Sequence, residues 1–134
     1  MVLGVWTSVF GSAGGAWREF YDAREAVTDE KGDFSVPGQG VLIMNNVDVM
    51  ECTIFKAGYK YHCFDWDTLK GRTGQIMHVK WKDKKPFIPL KRLTMVERGR
   101  QGTPSAPPSK APFDKVKLYL KEINKDRKER GLKP

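Results

Sequence analysis

The chain has 134 residues, of which 40% are hydrophobic and 30% charged, with a formal net charge of +8. That composition excludes disorder throughout, and the length suits one domain with a core and a tail. No apolar run approaches the ~20 residues that a membrane-spanning helix needs.

Val2 to Phe10 alternates loosely and reads as a strand. Its start imitates the apolar core of an export signal, with small residues at Ser12-Ala13-Gly14, but no basic residue precedes it and Gly4 and Trp6 interrupt it. Gly11 to Gly15 reads as a flexible loop, and Trp17 to Val27 as a second strand. Asp29-Glu30-Lys31-Gly32 suits a tight turn, because Asp caps its own backbone and Gly accepts positive φ. The expectation is a β-hairpin with Val27 on one arm and Phe34 and Val36 on the other.

Pro37 to Gly40 breaks the chain, and Val41 to Met44 is a short apolar run suited to burial on both faces. Val47 to Phe55 is the next expected strand, with Lys60 to Phe64 as its return partner. Asp65 to Lys70 reads as a weak helix or loop. Ile76 to Trp81 alternates as an amphipathic strand, and Phe87 to Leu90 as a short one kept at an edge by Pro86 and Pro89. Roughly seven short strands with regular turn signals favour a sandwich or barrel. Thr94 to Gly99 suits a helical turn. Residues 101–112 form a Pro/Ser-rich linker, and a basic amphipathic helix over 113–132 is expected to start near Asp114 as N-cap and close at Gly131. Val116, Leu120 and Ile123 share one face of it, with Tyr119 beside them.

Two stretches together carry a resemblance. The first is Glu19-Phe20-Tyr21-Asp22-Ala23-Arg24-Glu25-Ala26-Val27-Thr28-Asp29 running into Glu30-Lys31-Gly32-Asp33-Phe34. The second is Ile54-Phe55-Lys56-Ala57-Gly58-Tyr59, with the tail from Lys121 through Leu132. In this order they resemble the carboxypeptidase regulatory-like domain family, in its uncharacterised bacterial secreted and lipoprotein members. The resemblance implies a mainly β fold over residues 1–100, a transthyretin-like or immunoglobulin-like sandwich, with a C-terminal helix on a Pro-rich arm. It also implies an extracytoplasmic, non-catalytic interaction or assembly module without cofactor or metal. Members usually carry a further strand before the one that Val2 to Trp6 resembles, so the edge beside that strand is expected to stand unpaired.

Residues 1–55 hold only Arg18, Arg24 and Lys31 as basic groups, so the positive excess follows Phe55. Such asymmetry suits an anionic partner, and equally a solvated positive face. An alternative reading is therefore a nucleic-acid-binding small barrel, with Arg72, Lys80 and Trp81 around His78. Cys52, His62, Cys63, Asp65, Asp67 and His78 lack metal-ligand spacing, and adjacent strand residues such as His62 and Cys63 face opposite sides. If the hairpin is centred on Ala57-Gly58, Cys52 faces Cys63 and a disulfide is within reach; a one-residue slip leaves two free thiols. Val116, Tyr119, Leu120 and Ile123 are the candidate interaction residues, for a protein partner, a second copy or the chain's own sandwich.

Overall fold

The computed structural model describes residues 1–12, 15–37, 47–65, 80–82, 85–104 and 110–133. The first strand, β1 (Val2–Ser12), is interior. It pairs antiparallel with β2 (Gly15–Ala26) on one side and β3 (Val47–Ile54) on the other, and β4 (His62–Asp65) extends the sheet to the order β2-β1-β3-β4. Val2 lies between Ala26 and Ile54, and the Phe55 amide donates to the Met1 carbonyl to prolong the ladder. The edge expected to be bare beside β1 is thus occupied by β3, which overturns that reading. Among the described residues the outer strands are β2 and β4.

Burial on both faces explains the place of β1. Leu3 and Val5 point to one side of the sheet and Val2 and Trp6 to the other, and all four are buried. Gly4 suits a close approach: a Cβ there would meet Val36 Cγ1 at 3.1 Å and Met50 Sδ at 3.3 Å, and those side chains would have to give by a few tenths of an ångström. The register on β2 shifts between Trp6 and Thr7. The shift lets Phe20 and Ala23, of opposite parity, pack into the same core.

One face of the sheet is covered by α2 (Lys117–Glu129), reached through a short 3₁₀ turn, Phe113–Lys115. Val116, Tyr119 and Ile123 join Leu3, Val5 and Phe55 there, and the Phe55 and Tyr119 rings meet edge-on at 6.4 Å. Each such large side chain contributes about 1.5–3 kcal/mol on full burial. The opposite face buries Val2, Cys52, Ile54 and Phe64 beneath Val36, Ile88 and Leu90. A second sheet pairs β5 (Lys80–Lys82) with β6 (Lys85–Phe87). Helix α1 (Met95–Gln101) opens on a capping box, Thr94 with Glu97.

Several expectations are corrected. The Asp29 turn is present, with the Asp29 carboxylate accepting from the Lys31 and Asp33 amides and Gly32 at φ 86°. Residues 33–37, however, form no strand. Val36 instead packs inward, and Arg24 donates to the Pro37 carbonyl at 3.0 Å. In place of a loop over 11–15, strand pairing runs to Ser12 and resumes at Gly15. The last short strand is Lys85–Phe87 rather than 87–90. Asp114 lies in the 3₁₀ turn and α2 follows Val116, with no side-chain cap of its own. The readings over 38–46, 66–79 and 105–109 fall outside the described residues.

Candidate functional site

On the face of the sheet that carries α2, Thr7, Phe20, Glu51, Cys63 and Asp65 line an open cleft of about 660 Å³, with Arg18, Glu19 and Lys110 at its walls. Strand pairing builds it. β3 and β4 are in register as Glu51 with Asp65 and Thr53 with Cys63, so these four side chains share one face. Thr53 Oγ1 donates to Cys63 Sγ at 3.6 Å, and Cys63 Sγ donates to Glu51 Oε1 at 3.1 Å. Loss of water around Cys63, then its bond to Glu51, push the thiol up to about 11. Burial, then the neighbouring Cys63, Tyr61 and Glu51, raise the Tyr119 phenol as well. His62 moves the other way: burial and then Lys60 hold its imidazole below the ordinary value.

A thiol at about 11 is a hydrogen-bond donor at neutral pH and a poor nucleophile, because the thiolate is the reactive form. Glu19, Glu51 and Asp65 face a cleft that also holds Arg18 and Lys110, so both signs of charge meet there. Among the described residues, no three His, Cys, Asp or Glu side chains are grouped to hold a metal ion.

The pairing of Cys52 with Cys63 is corrected by the register. Cys52 lies opposite Phe64 and points into the far core, whereas Cys63 lies opposite Thr53 on the cleft face. Both thiols are free. The one-residue slip has a local cause. The chain after Gly58 does not turn straight back along β3 but first pairs with residues 91–93: Leu93 donates to Gly58 at 2.9 Å and Lys60 to Lys91 at 2.8 Å. The Tyr59–Arg92 bridge completes this contact, and ladder pairing with β3 begins only at His62.

The candidate interaction residues of the helix are engaged within the chain. Val116, Tyr119 and Ile123 are buried against the sheet and Leu120 is half-buried beside them. Polar contacts hold the helix at three levels. Glu25 of β2 accepts from the Leu118 and Tyr119 amides. Glu122 accepts from the Ala57 amide at 2.9 Å and Asp126 from the Gly58 amide at 3.2 Å. Arg98 of α1 donates to Asp126 Oδ1 at 2.5 Å and to Glu129 Oε2 at 3.0 Å. Sequence reasoning missed Glu25, Arg98 and Asp126, whose partners lie 28 to 94 positions away. The one sequence signal was the spacing of Glu122, Asp126 and Glu129, which puts all three acids of α2 on one flank.

No helix among the described residues is long and apolar enough to cross a membrane. The chain is a β-rich fold, a four-stranded antiparallel sheet with a C-terminal helix. No family model matches it, and neither a curated protein nor a solved structure does.

Proposed function

We propose that this chain is a non-catalytic interaction module of the transthyretin-like type, belonging to an extracytoplasmic bacterial protein. The sandwich assignment is supported by Val36, Ile88 and Leu90, which pack on the face of the first sheet opposite α2. The observation that carries the functional reading is the tuning of the cleft. Cys63 is the side chain there best suited to nucleophilic chemistry, and Glu51 and partial burial hold it protonated. A catalytic thiol needs the opposite surroundings, a cation or helix N-terminus that stabilises the thiolate. The cleft presents hydrogen-bonding groups and charges of both signs, which suits recognition of a polar segment of a partner chain.

The pH dependence of iodoacetamide alkylation at Cys63, in a Cys52→Ala background, tests this reading. The expected rate is low at neutral pH and climbs only well above pH 9. A thiolate that reacts rapidly at pH 7 would overturn the non-catalytic assignment.

A further inference from the structure

The charges of α2 are sorted by the way it docks. Its three acidic side chains, Glu122, Asp126 and Glu129, all accept hydrogen bonds from the body of the fold. Its lysines take the other side. Lys117, Lys121, Lys125 and Lys128 recur at intervals of four, four and three and are all exposed. They form one stripe, about 16 Å long at 1.5 Å per residue. Among the described residues, the acid within ion-pair distance of the stripe is Glu122, whose carboxylate stands 4.0 Å from Lys125 and is already bound to the Ala57 amide. A helix that carries both signs in sequence thus presents its lysines outward and turns its acids toward the fold, with Glu129 partly exposed at the margin.

We propose that this outer face of α2 docks the protein on an anionic lipid bilayer. The surface potential of such a membrane attracts clustered lysines, and the stripe lies on a convex rod that meets a flat surface along its whole length. Exposed apolar side chains flank the lysines: Phe113 is 67% exposed, Leu118 44% and Leu132 47%. Lysine heads at the phosphate level with apolar groups reaching toward the acyl boundary is the pattern of peripheral binding. A single-stranded nucleic acid would call instead for a groove with aromatic rings set between the cations. Here Phe113 lies at one end of the stripe, outside the lysine row. The apolar stripe of α2 remains in the core, so the helix binds the surface without leaving the sheet.

Flotation with vesicles of phosphatidylglycerol and phosphatidylcholine, against phosphatidylcholine alone, tests the proposal with the intact chain. Binding is expected to the anionic vesicles only, and to fall as salt rises. Replacing one stripe lysine by glutamine is expected to weaken partitioning roughly fivefold, and replacing all four roughly a hundredfold or more. Replacing all four by arginine is expected to preserve it, and circular dichroism checks that every variant is folded. Equal binding to both vesicle types, or unchanged binding by the folded four-glutamine variant, would overturn the proposal. So would tighter binding to a single-stranded oligonucleotide than to anionic vesicles at the same salt.

Discussion

Glu25 and Tyr119 join the sheet to the helix: the strand carboxylate accepts the Tyr119 backbone amide at 2.6 Å and, with its second oxygen, the Leu118 amide at 3.0 Å. The bond does for α2 what a local N-cap does elsewhere. It satisfies donors that have no partner inside the helix and places negative charge at the positive end of the dipole. Glu25→Ala is expected to cost about 1–2 kcal/mol, the range seen when a capping side chain is removed. Chemical denaturation measures it. An additional Asp at position 116 should not restore the loss, because Val116 is buried.

Arg98 and Asp126 form the most buried ion pair among the described residues, with side chains 10% and 6% exposed. Removing Asp126 leaves Arg98 with Glu129 as its remaining carboxylate, so Asp126→Ala is expected to destabilise by about 2 kcal/mol, the loss of a hydrogen bond between charged groups rather than of a sole counter-ion. Arg98→Met combined with Asp126→Leu should cost clearly less than the two single changes summed. A double-mutant cycle by urea unfolding reads the difference.

The two thiols should stay separate. Non-reduced peptide mapping after purification without reductant is expected to find no Cys52–Cys63 linkage, since the two side chains leave β3 and β4 on opposite faces. Burial pushes Cys52 up to about 12. A thiol whose folded value is raised contributes stability that is fully present below its unfolded value of 9.0 and is lost as pH climbs through about 11 to 12. Unfolding free energy should therefore decline above pH 9, less steeply in Cys52→Ala.

Glu97 provides the acid-side counterpart. Its bonds to Lys91 first, then to the Thr94 backbone and hydroxyl, bring the carboxyl down to about 2. The stabilisation is present above 4.5 and lost as pH falls through that window toward 2. An NMR titration of the Glu97 side chain should place its midpoint near the lower value, and Lys91→Met should move it upward.

What the residues announced and what they concealed divide along sequence distance. The strands at Val2, Trp17 and Val47 were legible because their apolar spacing is local, and so were the Asp29 turn, the Thr94 turn and the stripe Val116, Tyr119, Ile123. The partners of those faces were not. Val2 reads as an edge only until β3, forty-five positions later, takes the place beside it. The Cys52–Cys63 register looked symmetric about Ala57-Gly58 because nothing in that hairpin signals the competing bonds to Lys91 and Leu93. The cleft combines residues from β1, β2, β3 and β4 with Lys110, a conjunction that only topology assembles. The start of α2 was placed too early because the true cap sits on another strand.

The interior position of β1 has a consequence for biosynthesis. Leu3 and Val5 emerge from the ribosome more than a hundred residues before Val116 and Ile123, which shield them. At about 5–20 residues per second, this apolar strand waits roughly 6 to 20 seconds for its cover. The neighbouring hairpin arm β2 arrives at once, but β3 and the helix do not. Nascent chains stalled before residue 110 should therefore show β1 open to proteases and to holding chaperones, and release of the full chain should close that window in a single late step.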